Sequence, residues 1–344
     1  MPHSFKAARS VVLGFSLLAC SPAAQTGVQS SIRVEPRRYF SLDEFTLVDT
    51  APAEDTAALE EILGRKATKT NTQALEDVIT VDPNDETQLV ATISVSEAQP
   101  EMMYYIDLTS PKPQLRSMGS SFLLHKNGLF LTAYHVFDDY LEDQQEGKSS
   151  MMLMYDPRHG FAATAYPLIF SKQYDILLGK VDINQDFPIA TTVISPDGKP
   201  VFEEVYIYTF NNTDYFIKGL FEAVMRSGTV NSDCTFTQHT LLNDDRSRYA
   251  PFISISALVT RAMDGTEIKN DERYAFFAKM IEGNSGAAVF DIVNRQTGVV
   301  TTAINSINPK IPNTTVYTGP EKIREMLAVY LSVAGSTQRS LVQE

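Results

Sequence analysis

Two polar residues stand where apolar, strand-like segments meet loops. His135 lies at the end of an apolar run that begins at Gly128, so its imidazole is predicted at a strand-to-loop corner. Asp175 stands at the mouth of the strongly apolar segment 176–181. A carboxylate there could accept the Nδ1 proton of a histidine and hold the ring in the tautomer that proton transfer needs. The two residue types together suit general acid–base chemistry.

A serine lies in a loop that is rich in glycine. Residues 283–286 read Gly-Asn-Ser-Gly and precede the apolar segment 287–290. Glycines on both sides of Ser285 let the backbone turn sharply and approach a ligand closely. They also let the amides of Gly283 and Ser285 point the same way, which is the geometry of an oxyanion hole. The loop therefore suits the stabilisation of negative charge beside a hydroxyl group.

Short β-like segments separated by turn residues are predicted to position these groups. They are residues 121–124, 129–132, 151–155, 176–181, 205–210, 224–230, 252–259, 287–292 and 299–304. Segments of this length and spacing indicate an all-β sandwich or a pair of barrels. Residues 319–330 begin with Gly-Pro and carry apolar residues at helical spacing, which predicts a closing helix.

In this order the motifs resemble those of the trypsin/chymotrypsin-fold serine proteases, in their bacterial, disulfide-free form. Segments 119–123 and 131–136 resemble the histidine motif of that family, 174–178 its aspartate motif and 283–286 its serine motif. The order is His, Asp, Ser, with separations of 40 and 110 residues. The resemblance covers about residues 116–331 and implies a double six-stranded β-barrel with a C-terminal helix.

The resemblance also implies a role for each site residue. Ser285 is the expected nucleophile, His135 the general base and then acid, and Asp175 the group that orients the imidazole. The amides of Gly283 and Ser285 are expected to hold the oxyanion. The implied function is a serine endopeptidase that cleaves proteins or peptides through an acyl-enzyme intermediate. It implies no metal ion and no organic cofactor.

Three other acids compete with Asp175 for the orienting role. Asp138 and Asp139 lie too close to His135 in the sequence. Asp182 follows the same apolar segment as Asp175, but at its far end. An α/β-hydrolase is excluded because no histidine follows the serine motif. Asp175 is therefore the predicted partner of the histidine.

The serine motif departs from the family pattern at neighbouring positions. Ala287 and Ala288 stand where the family usually has Gly-Pro or a similar pair, so packing beneath the nucleophile differs. Asn284 replaces the aspartate that pairs with a newly cut N-terminus in zymogen-activated members, so we expect maturation without that switch. These departures keep open an alternative, a catalytically inactive pseudoprotease that acts as a protein- or peptide-binding module.

Three residues are candidates for substrate binding. Lys279, six residues before the serine, falls in the loop that forms the base of the family's specificity pocket. It would favour an acidic substrate side chain, or else it is a solvated loop charge. Ile304 and Ser306 fall on the strand that is expected to hydrogen-bond the substrate backbone. This strand lacks the usual glycines, so the width of the pocket stays open.

The first twenty residues have the features of a secretory signal. Lys6 and Arg9 precede the apolar run 11–19, which is too short to span a bilayer and ends at Cys20. The sequence Leu-Leu-Ala-Cys resembles the bacterial lipobox, in which the cysteine is acylated. We therefore expect an exported protein anchored in the cell envelope through Cys20. The alternative is an ordinary signal peptide, a periplasmic protein and an incidental cysteine.

Charge and composition divide the rest of the chain. Residues 21–115 carry 16 acids and 7 bases, a net charge of −9 out of −13 overall, and are predicted to be an acidic, partly disordered tether with a helix from Asp55 that ends near Gly64. The alternative is an inhibitory or docking segment whose helix, residues 56–64, packs on the body. Residues 89–95 are a possible strand. Residues 116–335 are the predicted protease domain and 336–344 a flexible tail. The acidity argues against a nucleic-acid partner, and two cysteines exclude a disulfide scaffold.

Overall fold

The computed structural model describes thirteen stretches of the chain. They are residues 38–48, 55–64, 101–157, 159–181, 183, 193–194, 204–210, 214–242, 251–259, 273–277, 283–291, 295–304 and 314–341. The predicted signal segment with Cys20 and the possible strand at 89–95 lie outside them. No helix within these stretches is long and apolar enough to cross a membrane.

The described elements are mainly strands. The strands are β1 (Tyr39–Leu42), β2 (Phe45–Val48), β3 (Glu101–Asp107), β4 (Gln114–Leu123), β5 (Leu129–Thr132), β6 (Ser150–Asp156), β7 (Phe161–Ser171), β8 (Ile176–Val181), β9 (Val193–Ile194), β10 (Glu204–Phe210), β11 (Gly228–Val230), β12 (Phe236–Gln238), β13 (Pro251–Val259), β14 (Arg273–Phe277), β15 (Ala288–Asp291), β16 (Arg295–Ile304) and β17 (Thr314–Thr318). The helices are α1 (Thr56–Gly64), a 3-10 turn (Tyr134–Val136), α2 (Asp138–Glu146), α3 (Asp214–Arg226) and α4 (Pro320–Leu341).

The strands form two closed barrels. In the first, six antiparallel strands follow the order β7-β6-β3-β4-β5-β8, and β8 pairs again with β7. In the second, the order is β15-β10-β13-β14-β17-β16, and β16 pairs again with β15. Closure leaves neither ring with a free edge. The predicted all-β double six-stranded barrel with a C-terminal helix is confirmed.

The barrels and the closing helix share one apolar core. Phe122 of the first barrel and Phe290 of the second meet edge to face, with ring centroids 5.2 Å apart. On α4, Ile323, Leu327 and Tyr330 are fully buried in the same cluster. Their spacing places them on one face of the helix, as the sequence predicts. The helix continues to Leu341, into the segment predicted to be a flexible tail.

The barrel begins before Arg116. Strand β3 pairs with both β4 and β6, so residues 101–107 belong to the first barrel. Pro111 and Pro113, which suggest a boundary in the sequence, lie in the loop that joins β3 to β4. Proline suits that loop because it needs no ladder hydrogen bond there. The prolines mark a hairpin and not a linker.

Two further parts of the predicted tether pack on the body. Strand β2 pairs with β7, which adds the β1–β2 hairpin to the first sheet. Helix α1 lies where the sequence predicts a helix and packs on α4. Its Leu59 and Ile62 are fully buried in the shared core. These segments bury the apolar side chains that a solvated tether would expose.

The predicted strand at 224–230 is wrong in its first half. Val224 lies in α3, and only Gly228–Val230 is extended. Leu220 and Val224 are buried against the outer side of the first barrel, four residues apart on one helical face. The predicted segment overlaps only the last turn of α3, where a few apolar residues cannot be distinguished from a short strand.

Candidate active site

Antiparallel pairing brings His135 and Asp175 to the same end of the first barrel. Strand β5 ends at Thr132, which lies opposite Leu177 near the start of β8. The chain leaves β5 into the 3-10 turn that carries His135, and it enters β8 from the turn that carries Asp175. The two residues are therefore neighbours although 40 positions separate them in the sequence.

Asp175 holds His135 through both of its carboxylate oxygens. Oδ2 lies 2.8 Å from Nδ1 of the imidazole, and Oδ1 accepts a hydrogen bond of 2.9 Å from the His135 backbone N–H. This double contact fixes the ring against its own backbone. Nδ1 is thereby assigned as the protonated nitrogen, and Nε2 as the one that can accept a proton.

The contact with Asp175 changes the pKa of His135. The hydrogen bond to Asp175 raises the pKa of His135 above its ordinary value, against the opposing effect of burial, and the charges of Asp175 and Asp138 add to the increase. The imidazole is 43% exposed and the Asp175 side chain 15%. Asp175 adopts φ +53°, a left-handed conformation that aspartate tolerates better than most residues.

The two competing acids that the structure describes, Asp138 and Asp139, do not hydrogen-bond the Nδ1 atom. Asp138 accepts a hydrogen bond from the Tyr134 hydroxyl instead. Asp139 is exposed on the first turn of α2. Asp182 lies outside the described residues.

The serine loop is shaped by glycines with positive φ. Gly283 has φ +91° and Gly286 has φ +88°, a region that side chains with a Cβ rarely adopt. At Gly286 a Cβ would also collide with the carbonyl oxygen of Ser120 and the hydroxyl of Thr132. Only glycine fits there, and this close approach holds the loop against the end of β5.

Ser120 of β4 binds the loop at two points. Its N–H donates to the Ser285 carbonyl oxygen at 2.7 Å, and its hydroxyl donates to the Gly283 carbonyl oxygen at 2.7 Å. The loop is closed further by a hydrogen bond of 3.0 Å from the Ala287 N–H to the Asn284 carbonyl oxygen. Sequence reasoning missed Ser120 as an anchor, although it stands within the Gly-Ser-Ser-Phe-Leu segment beside the histidine motif.

These bonds set the direction of the Ser285 amide. The Asn284 carbonyl points towards Ala287, and a trans peptide places the N–H on the opposite side from its C=O. The Ser285 N–H therefore points away from the turn. Within the described part of the chain, neither this amide nor that of Gly283 donates a hydrogen bond to another residue. Both are suitable donors for an oxyanion.

Gly119 brings the serine and histidine segments together. A Cβ at this position would lie 2.5 Å from Val136, the residue after His135, and 3.1 Å from the Ser285 carbonyl oxygen. The histidine turn and the serine loop thus both approach the face of Gly119 on which a side chain would stand. The neighbouring Ala287 and Ala288 are fully buried, so small residues fit beneath the loop.

The proposed substrate-binding residues are less well defined by the structure. Ile304 is the last residue of β16 and is opposite Thr314 of β17. Lys279 and Ser306 lie outside the described residues. Met118 is a further residue at the site, since a Cβ at Gly283 would lie 3.7 Å from its sulfur. No sequence signal distinguishes Met118 from the chain's other methionines.

The chain matches a family model and is similar to solved structures. A trypsin-like peptidase domain matches residues 119–299, which run from β4 through the histidine, aspartate and serine motifs into β16. No curated protein sequence matches the chain. The crystal structure of Deg5 is similar at 14% sequence identity over 65% of this chain and 85% of that chain, with a TM-score of 0.40.

Proposed function

The chain belongs to the trypsin-like peptidase family and is a serine protease that acts on proteins or peptides, and from this premise we propose that Ser285, His135 and Asp175 form its catalytic triad. The observation that carries the proposal is the double contact of Asp175 with the Nδ1 and backbone N–H of His135. It orients Nε2 as the proton acceptor, which is the task of the aspartate in such a triad.

The proposed reaction begins with proton transfer from the Ser285 hydroxyl to Nε2 of His135. The oxygen attacks the substrate carbonyl carbon, and the amides of Gly283 and Ser285 donate to the resulting oxyanion. The imidazolium then gives its proton to the leaving amine as the C–N bond breaks, which leaves an acyl-enzyme. Water attacks the ester through the same base and releases the acid product and free Ser285.

The raised pKa of His135 supports this assignment. Its first cause is the hydrogen bond to Asp175, which favours the charged imidazolium. That ion forms in each transition state of the proposed cycle, so the same contact stabilises the developing charge. The base must be neutral at the start, and we therefore expect activity to rise as the pH rises through the pKa of His135.

Labelling with a fluorophosphonate probe tests the proposal. The wild-type protein should be labelled, and Ser285→Ala should abolish labelling and lower peptide hydrolysis by roughly 10³-fold or more. Ser232→Ala, a change at an exposed serine of the β11–β12 turn, is the matched control and should behave as wild type. Labelling that survives Ser285→Ala would refute the assignment. A folded, unreactive wild type would favour the pseudoprotease alternative.

We also propose that the protein is anchored in the cell envelope by a lipid on Cys20. The support is the signal-like sequence, in which Cys20 directly follows the apolar run 11–19. Several acyl chains would hold the protein at a membrane, since a single chain binds only marginally. Cys20→Ser should move the protein from the detergent phase to the aqueous phase in a partition assay and abolish incorporation of labelled palmitate. Unchanged partition would contradict the anchor.

A further inference from the structure

The turn of the β1–β2 hairpin reaches the segment that carries Asp175. Glu44 uses its two oxygens for two different partners. Oε1 accepts a hydrogen bond of 3.0 Å from the hydroxyl of Tyr174, and Oε2 accepts one of 2.7 Å from Nζ of Lys322 on α4. Tyr174 directly precedes Asp175 in the sequence. One glutamate therefore links the hairpin, the aspartate turn and the closing helix.

Both the side chain and the backbone of Tyr174 are fixed by contacts with other residues. The side chain is buried, and Nζ of Lys322 lies 4.4 Å from the centre of its ring. The Tyr174 carbonyl oxygen accepts a hydrogen bond from the Thr318 hydroxyl, and its N–H donates to the Ser171 hydroxyl at 3.3 Å. These contacts fix the peptide that leads into Asp175.

The hairpin itself is firmly attached. Strand β2 pairs with β7 at Thr46–Phe170 and Leu47–Ile169, immediately before the turn that carries Asp175. Phe45 is buried in the shared core. Because the hairpin is anchored in this way, the backbone of Glu44 has a fixed position, which a solvated segment could not provide.

We propose that Glu44 is a positioning residue for Asp175. By fixing Tyr174, Glu44 sets the direction of the Asp175 carboxylate, which must accept hydrogen bonds from two N–H groups of His135 at once. The β1–β2 hairpin therefore helps to position the catalytic residues. The inference rests on the proposed triad, because it assigns Glu44 a task in orienting Asp175. Asp175 needs such support since its left-handed backbone conformation costs free energy and persists only where the surrounding structure imposes it.

The charge of Glu44 fits this role. The hydrogen bond from Lys322 lowers the pKa of Glu44, with a further contribution from the Tyr174 hydroxyl, so the group is ionised at neutral pH. Lys322 keeps a second partner, Glu325, at 2.8 Å when Glu44 is removed. The loss is therefore felt mainly at Tyr174, the residue next to Asp175.

The test compares four variants of the full chain. Glu44→Ala should lower kcat by about 5- to 20-fold with little change in KM, since small misplacements of a catalytic group are costly. Tyr174→Phe removes the same hydrogen bond, together with one of 3.1 Å that the Tyr174 hydroxyl accepts from Gln173, and should lower kcat at least as much. The double variant should be no worse than Tyr174→Phe. Glu44→Gln keeps an acceptor for the Tyr174 hydroxyl and should recover most of kcat.

The control is Glu61→Ala, in helix α1 of the predicted tether. Glu61 is 54% exposed and its side chain contacts His125, so its loss should leave kcat unchanged. The pKa of His135, measured by NMR in the folded proteins, gives a readout that needs no turnover. It should fall in Glu44→Ala and Tyr174→Phe, because a loosened Asp175 no longer raises it, and stay unchanged in Glu61→Ala.

The outcomes separate this inference from the proposed function. An unchanged His135 pKa and kcat in both Glu44→Ala and Tyr174→Phe would overturn the role of Glu44. A loss of thermal stability without a shift in the His135 pKa would overturn it as well, since it would show a purely structural contact. If the wild-type protein is inactive, but the His135 pKa still falls in Glu44→Ala and Tyr174→Phe, only the proposed function is overturned.

Discussion

The two halves of the site are held in place by different kinds of contact. In the first barrel, side chains position the chemistry, since the carboxylate of Asp175 grips His135 and Tyr174 is fixed from three other elements. In the second, the backbone of the loop does most of this, since Gly283 and Gly286 adopt positive φ and the loop's carbonyl oxygens accept hydrogen bonds from the N–H and the hydroxyl of Ser120. The first half therefore depends mainly on side-chain functional groups, and the second mainly on backbone conformation and the absence of Cβ atoms.

This difference teaches what each half tolerates. Removing a polar group from the histidine corner should leave the fold intact and weaken the chemistry, because the surrounding barrel core is apolar and unchanged. Adding an atom to the serine loop should damage the fold first, because both glycines adopt positive φ and Gly286 also lies against the backbone of Ser120, which cannot move aside. Activity and stability should separate in one half and fall together in the other.

The largest effect on activity is expected from Asp175→Asn. Asparagine tolerates the left-handed backbone of this position, so the variant should fold. Its amide N–H₂ can face Nδ1 of His135 only if that nitrogen becomes an acceptor, which gives the wrong tautomer for catalysis. We expect kcat to fall on the order of 10³- to 10⁴-fold with little change in thermal midpoint. A kcat equal to that of wild type would contradict the role of Asp175 in orienting His135.

Gly286→Ala should have the largest effect on stability. The new Cβ would collide with Ser120 and Thr132 and would force alanine to φ +88°, which we expect to destabilise the protein by roughly 2–5 kcal/mol. At Gly219 of α3 a Cβ meets nothing within 4 Å, so Gly219→Ala is the matched control and should stabilise by about 0.5–1 kcal/mol. Denaturant unfolding measures both. Equal stabilities would mean that the loop adapts freely.

Gly283→Ala sharpens the same comparison within the loop. Gly283 also has positive φ, but the nearest atom to a new Cβ is the flexible Met118 side chain at an ordinary 3.7 Å. We therefore expect only the cost of the backbone conformation, about 1–2 kcal/mol. Denaturant unfolding should rank wild type above Gly283→Ala, and Gly283→Ala above Gly286→Ala. The reverse order would show that the steric collision at Gly286 is not the main source of the destabilisation.

A smaller effect is expected from Ser120→Ala. The change removes the hydroxyl that donates to the Gly283 carbonyl oxygen and keeps the backbone N–H that donates to Ser285. One of the two Ser120 hydrogen bonds that hold the serine loop is lost, so kcat should fall about 10-fold while KM changes little. Ser120→Thr keeps a hydroxyl and serves as the conservative comparison. If Ser120→Ala equals wild type, the backbone bond alone positions the loop.

The histidine corner and the serine loop can be proposed from the sequence because each is a local pattern that adjoins an apolar strand. The sequence predicts strands less evenly. The long strand β7 is missed because its run of alanines has weak β-propensity and because Pro167 interrupts it. Proline is accommodated there by a shift in register between Pro167 and Ile169.

The packing of the described segments 38–48 and 55–64 on the barrels is not evident from their composition. Their acidity predicts a solvated tether, and Glu44 contributes to that charge like any other acid. Its two partners, Tyr174 and Lys322, lie 130 and 278 positions away in the sequence. A contact of this kind depends on the closed barrel and the docked helix, which a local reading of charge does not contain.

Asp138→Asn is the smallest change and tests how local the histidine corner is. The charge of Asp138 ranks last among the causes that raise the pKa of His135, behind the hydrogen bond and the charge of Asp175. Removing it should lower that pKa, so the acidic limb of kcat/KM should move to lower pH by less than in Asp175→Asn. The plateau should keep its height, because the new amide oxygen can still accept the Tyr134 hydroxyl and the grip of Asp175 is untouched. A fall in the plateau would mean that Asp138 positions the ring as well, and that the corner is a wider network than one carboxylate and one imidazole.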